Sequence, residues 1–213
     1  MINPAATVFV IDDDESVRKS LKRLLDAAHY KTEVLKSAPE FLSLSAYPGP
    51  SCVVVDVRMP GMNGIDFQKA LIEQGREDQL VFITAHGDIP MCAQAMKAGA
   101  VDFLPKPFKL KQLLESVERA LARSSEQLLR ESERNHARAL LQRLTPREHE
   151  VMELVATGLL NKQVGGELGM AEKTVKTHRA HMMQKLKITS VAELMGILHK
   201  AEVTPPGKPG TKV

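Results

Sequence analysis

The sequence has no tryptophan, 2 cysteines and only 4% aromatic residues among 213. So few cysteines exclude a disulfide-stapled scaffold. Cys52 and Cys92 both lie in apolar segments, as expected of a reduced, cytoplasmic interior. No stretch approaches the length of continuous apolar sequence that a membrane-spanning helix needs. Met1 to Thr7 carries no Lys or Arg and no long apolar run, so no secretory signal is visible. Hydrophobic residues nevertheless make up 43%, which is too many for a wholly disordered or collagen-like chain.

The net charge is +3, and its distribution says more than its size. Up to Ala122 there are 14 Lys and Arg against 16 Asp and Glu, a net of −2. From Arg123 onward there are 15 against 10, a net of +5. Lys173, Lys176, Arg179, Lys185 and Lys187 face Glu172 alone within residues 170–187. A basic second half raises the odds of a polyanionic partner, although a solvated helix face has the same composition.

The first half alternates short β-like runs with helical spacing. Strands are expected over Thr7–Ile11, Lys31–Leu35, Ser51–Val55, Leu80–Ile83 and Ala100–Leu104. Ser51–Val55 is apolar throughout, which implies cover on both faces, as in a parallel sheet. Helices are expected over Arg18–Ala28, Gly64–Glu73, Pro90–Ala98 and from Leu110 onward, with Gly99 placed to stop the third. This alternation predicts a doubly wound α/β domain with a five-stranded parallel sheet, over residues 5–122.

From Glu118 to Arg143 there is no strand signal, no Pro and no Gly, and good helix formers dominate. A charged helical linker over 123–141 is the expectation. A dimeric coiled coil is the alternative, but Ser132 and Asn135 interrupt its seam. A compact helical block follows over 142–201, with Thr145 as N-cap, Pro146 in the first helical position and Glu148 completing a capping box. The Pro-, Gly- and Lys-rich tail, 202–213, is expected to be disordered.

Ligands of open α/β sheets bind at the carboxyl ends of the strands. Asp12, Asp13 and Asp14 follow the first strand, Asp56 the third, Thr84 the fourth and Lys106 the fifth. Carboxylates gathered at one edge repel each other, so a divalent cation with oxygen ligands is the natural occupant, and Mg²⁺ suits an incomplete shell. A single Asp at a strand end is more often a helix cap. The joint pattern is harder to obtain by accident, and it has the components of a phosphoryl-transfer site.

Val10-Ile-Asp-Asp-Asp-Glu15, Asp56-Val-Arg-Met-Pro-Gly-Met-Asn-Gly64, Thr84-Ala-His-Gly87, Lys97-Ala-Gly-Ala100 and Lys106-Pro107 together resemble a CheY-like response-regulator receiver domain. The resemblance implies Asp56 as phosphoacceptor. It also implies Asp12, Asp13, Asp56 and the backbone carbonyl of Arg58 as the Mg²⁺ site, with Asp12 acting largely through water. Thr84 and Lys106 would contact the phosphoryl group, Phe103 would take the aromatic switch position, and the Lys106–Pro107 peptide would be cis. Phe103 replaces a Tyr, so coupling to Thr84 must work through packing. An aspartate-nucleophile hydrolase reading of Asp12-x-Asp14 fails on the Glu15-Ser16 that follows, where a Gly-Thr turn is needed. A dinucleotide-binding fold fails because no Gly-rich loop follows the first strand.

In the second half, helices are expected over Pro146–Ala156, Lys162–Leu168, Glu172–Leu186 and Val191–His199. A helix, a Gly-containing turn and a basic helix make a helix-turn-helix pattern. Leu144-Thr-Pro-Arg-Glu-His-Glu-Val-Met-Glu-Leu154, Gly158, Asn161-Lys162 and Thr174-Val-Lys-Thr-His-Arg179 resemble a LuxR-type DNA-binding domain. That resemblance implies Lys176, Thr177 and Ala180 facing bases. It places Asn161, Lys162, Thr174, Arg179 and Lys185 near phosphates. Gly165-Gly166 and the uncapped Ala171 depart from the family, at an expected cost of about 1 kcal/mol each. The whole chain resembles FixJ/NarL-type two-component regulators, closest to FixJ-like members. This implies a histidine kinase, promoter DNA and RNA polymerase as partners, with homodimerisation on phosphorylation. A receiver that docks other proteins is the reading from a different class, and salt-dependent duplex binding separates the two.

Overall fold

The structure, a computed structural model, describes residues 6–85 and 89–204. The chain divides into two compact units, Met1–Leu128 and Leu129–Val213. The first unit runs β1 (Thr7–Ile11), α1 (Glu15–Ala27), β2 (Lys31–Leu35), α2 (Ala38–Leu42), β3 (Ser51–Asp56), α3 (Gly64–Glu73), β4 (Leu80–Thr84), α4 (Ile89–Lys97), β5 (Asp102–Pro105) and α5 (Leu110–Leu141). All neighbouring strands pair in parallel in the order β2-β1-β3-β4-β5. The order reverses between β1 and β3, which opens a crevice at their carboxyl ends. Every residue of β1, β3 and β4 is buried. Two apolar clusters cover the two faces, one around Leu25, Val54 and Leu113, the other around Phe41, Phe67 and Phe82.

Some boundaries differ from expectation for local reasons. α1 starts three residues early because Asp14 caps it, its carboxylate accepting from the N–H groups of Ser16 at 2.7 Å and Val17 at 3.4 Å. β5 starts at Asp102 rather than Ala100, because the N–H of Ala100 turns back to the carbonyl of Ala95 to close α4. α2 was not expected at all.

The second unit holds α6 (Pro146–Ala156), α7 (Asn161–Leu168), α8 (Glu172–Leu186) and α9 (Val191–Ala201) around a core of Val151, Val155, Val175, Met182 and Leu194. The expected linker helix exists as the extension of α5, largely exposed but held near each end. Ser124 accepts from the N–H of Ser51 at 3.0 Å, and Gln127 bonds Gln79 and Glu77 at 3.0 and 2.9 Å in the first unit. Ala137 and Leu141 join the core of the second. Small or apolar positions at helical spacing give the charged segment two buried stripes.

The first two residues of the segment expected as a tail are held against α9. Glu202 caps α9 in a left-handed conformation, and the N–H of Val203 bonds to the carbonyl of Leu198 at 3.0 Å. Residues 205–213, and His86 to Asp88 of the receiver-like motif, lie outside the described residues.

Candidate acidic pocket and nucleic-acid interface

Adjacent parallel strands deliver the two main carboxylates. Asp12 directly follows β1 and Asp56 ends β3, and their exposures are 2% and 6%. Each carboxylate has one oxygen fixed by backbone. Asp12 Oδ1 accepts from the N–H of Asp14 at 2.9 Å, and Asp56 Oδ2 from the N–H of Arg58 at 2.7 Å. The other oxygen of each turns to one cation. Lys106 Nζ lies 2.9 Å from Asp12 Oδ2 and 2.8 Å from Asp56 Oδ1. The N–H of Lys106 bonds to the carbonyl of Thr84 at 2.7 Å, which ties the ends of β4 and β5 together, and the Lys106–Pro107 peptide is cis. Gly64 lets α3 approach this edge, because a Cβ there would meet the Asp56 carbonyl oxygen at 2.8 Å.

Burial pushes the Asp56 carboxyl above the usual carboxylate range, and Lys106 only partly offsets it. Burial lowers the Lys106 ammonium, but the carboxylates of Asp56 and Asp12 outweigh burial and hold it above its ordinary value. Thr84 is fully buried at the end of β4. Phe103 packs its ring 6.1 Å from that of Phe82.

Asp12 and Asp56 share Lys106, and Asp13 beside them is exposed. Among the described residues no three His, Cys, Asp or Glu side chains are placed to hold a metal. The donor chemistry still fits Mg²⁺: two buried carboxylate oxygens converge on one cation position, with further oxygens on Asp13 and the Arg58 carbonyl nearby in sequence.

In the second unit, Thr145 and Glu148 form the expected capping box at the start of α6. Glu148 is also 3% exposed and accepts from Lys185 Nζ at 2.6 Å. Lys185 is thus engaged in joining the last turn of α8 to α6. The capping motif is visible in sequence, but its burial and a partner 37 residues away are not. Arg179 Nη1 donates to Asn161 Oδ1 at 3.0 Å, so two expected phosphate contacts hold each other across α7 and α8. Thr174, Lys176, Thr177 and Ala180 are exposed on α8, as is Lys162 on α7, while Val175 and Met182 are buried.

Ala171 is the N-cap of α8 and makes no side-chain cap bond. Gly165 and Gly166 differ in kind. A Cβ at Gly165 would lie 2.6 Å from the Met170 carbonyl oxygen, so the tight turn into α8 requires glycine there; at Gly166 nothing lies within 4 Å. The expected cost at Gly165 is therefore replaced by a requirement. Ala171→Ser and Gly166→Ala should each raise the stability of this unit by about 1 kcal/mol, and Gly165→Ala should lower it. Circular-dichroism melts of the full chain check this, and a stabilised Gly165→Ala chain would contradict the close approach.

Residues 8–118 match the response regulator receiver domain, and residues 142–198 match the luxR family of bacterial regulatory proteins. The chain belongs to the response-regulator family. It is 46% identical to Nodulation protein W of Bradyrhizobium diazoefficiens over 89% of this chain and 84% of that one. It is 38% identical to the transcriptional regulatory protein FixJ of Azorhizobium caulinodans, over 93% and 94%. The solved response regulator StyR superposes with a TM-score of 0.81 at 46% identity, covering 92% of this chain and 98% of that one. The response regulator thus joins a CheY-like receiver to a C-terminal helical DNA-binding domain and acts in transcriptional control, with a histidine kinase and DNA as partner classes. No helix among the described residues is long and apolar enough to cross a membrane.

Proposed function

We propose that this chain, in the cytoplasm, accepts a phosphoryl group on Asp56 from a histidine kinase, and that the phosphorylated chain dimerises, binds promoter DNA and engages RNA polymerase. The observation that carries this is the Asp56 carboxylate, with one oxygen fixed by the Arg58 N–H and the other beside the Lys106 ammonium. A carboxylate oxygen of Asp56 attacks phosphorus while the bond from phosphorus to the donor nitrogen breaks. Lys106 then pairs with a phosphoryl oxygen, and the Thr84 hydroxyl donates to another. Asp12, Asp13, Asp56 and the Arg58 carbonyl would hold Mg²⁺, which supplies charge to offset the phosphoryl oxygens. Phe103 lacks a hydroxyl, so the change at Thr84 is passed on through packing against Phe82. On α8, Lys176, Thr177 and Ala180 face base edges, while Thr174, Asn161, Lys162, Arg179 and Lys185 serve the phosphate side, Arg179 by steadying Asn161 and Lys185 from its pair with Glu148.

Mg²⁺-dependent labelling by acetyl phosphate tests the first step. It should disappear in Asp56→Ala and survive in Asp14→Ala, whose carboxylate caps α1. Labelling tightens duplex binding in the parent chain, and Lys176→Ala weakens it. Retained label in Asp56→Ala would remove the phosphoacceptor assignment.

A further inference from the structure

Helix α4 is fastened to the receiver at one end. Among its described residues only Ala95 is fully buried, and Ile89 at its start is 86% exposed. At the other end, Gln68 of α3 donates its side-chain amide to the carbonyl of Ala95 in α4 at 3.1 Å and to that of Ala98, just past its end, at 3.2 Å. Gln68 is itself 4% exposed. The helix closes there through Gly99 at φ 95°, with the N–H of Ala100 returning to the same Ala95 carbonyl at 3.1 Å. The last carbonyls of a helix have no donors within it, and a buried polar side chain is stable only when bonded. A side chain on one helix here meets both needs for its neighbour.

The opposite end of the α3–α4 boundary is open. A cleft of about 430 Å³ lies there, lined by Arg58, Asn63 and Ile65 on one side and Pro90, Met91 and Gln94 on the other. The two helices are therefore bridged at the C-terminal end of α4 and parted at its N-terminal end. The open volume leaves room for a shift at the parted end, where Met91 is only partly buried against the core, whereas a shift at the bridged end would strand buried carbonyls.

We infer that Gln68 is a positioning residue for the phosphorylation response: it anchors the C-terminal end of α4, so that the helix pivots there and its N-terminal end moves over the cleft beside Arg58. This rests on the reading of Asp56 as phosphoacceptor. Gln68 makes none of the acidic pocket's own hydrogen bonds, its amide being given to Ala95 and Ala98, so its loss leaves the pocket chemistry in place and uncouples the response from it.

The test uses the full chain and its Gln68→Met variant, in which both donors are lost and the volume is nearly kept. Three quantities are read: Mg²⁺-dependent acetyl-phosphate labelling, amide exchange along α4, and the gain in duplex affinity on labelling. Labelling should be unchanged. Exchange at Ala98, Gly99 and Ala100 should quicken about tenfold. The affinity gain should shrink about fivefold. Should the methionine chain fail to fold, Gln68→Glu, which puts acceptors where the donors were, gives the same comparison. Unchanged exchange at 98–100 overturns the anchor, and faster exchange with the full affinity gain reduces Gln68 to a structural residue. A parent chain that takes no label would instead overturn the Asp56 reading.

Discussion

A Lys106→Met chain is expected to lose about 3 kcal/mol of stability at neutral pH without Mg²⁺, and to regain most of it when Mg²⁺ is added. Lys106 Nζ is the cation between Asp12 Oδ2 and Asp56 Oδ1 at 2.9 and 2.8 Å. Removing it leaves two buried carboxylates facing each other with no counter-charge, which is the costly way to break a buried pair. The pH dependence has a definite sign. Burial already raises Asp56 above its ordinary value of 3.8. A carboxyl raised on folding stabilises fully below its unfolded value, and that contribution is lost as pH rises through the folded value. Without Lys106 the raise is larger, so the variant's deficit should widen from about pH 4 upward and narrow in acid. Mg²⁺ and the ammonium compete for the same two oxygens, so the Mg²⁺-induced rise in melting temperature should be larger in the variant than in the parent. Acetyl-phosphate labelling should fall about a hundredfold, because the ammonium that pairs with the transferred group is gone. Melts at several pH values, with and without Mg²⁺, decide the matter. A deficit that is independent of both would mean that Lys106 contributes packing alone.

The acidic edge was legible in sequence because its logic is topological. Carboxylates, hydroxyl and ammonium at successive strand ends must meet once the strands lie parallel, and β1 and β3 do bring Asp12 and Asp56 to one cation. The pairing of Asp12 and Asp56 with Lys106 was less legible: the sequence shows three acids in a row, but not that one ammonium lies between two of the carboxylates while Asp13 stays exposed. Helix α2 was missed because Ala38–Leu42 is shorter than two turns, too short to display a helical period. Gly165 looked like a weak helix former, and only the 2.6 Å approach to the Met170 carbonyl makes it a requirement. Lys185 was expected near phosphates by resemblance, with no partner visible within the chain. Its ion pair is with Glu148, whose burial depends on how α6 and α8 pack.

That pair gives the second large effect. A Glu148→Ala chain is expected to lose about 2 kcal/mol in the second unit. One oxygen, Glu148 Oε2, accepts from the N–H of Thr145 at 2.8 Å and from Lys185 Nζ at 2.6 Å. Truncation orphans the capping N–H, frees α8 from α6 and leaves a void at a site 3% exposed. The Lys185 side chain is 37% exposed, so its ammonium rehydrates, and the loss falls short of that for a fully buried pair. Burial raises the Glu148 carboxyl, but the bonds from Lys185 and Thr145 outweigh burial and hold it below its ordinary value of 4.5. A carboxyl lowered on folding contributes above its unfolded value, and the contribution disappears as pH falls through the folded value. The parent unit should therefore soften below about pH 4.5, while Glu148→Gln, which keeps the size and one acceptor, should lie between parent and Ala at neutral pH and approach the parent in acid. Because α8 carries Lys176 and Thr177, duplex affinity should fall with helix order, in Glu148→Ala more than in Glu148→Gln. The chain has no tryptophan, so circular dichroism rather than fluorescence follows the melts. Equal losses in the two variants at every pH would assign the whole effect to the void and none to the charge that Lys185 answers.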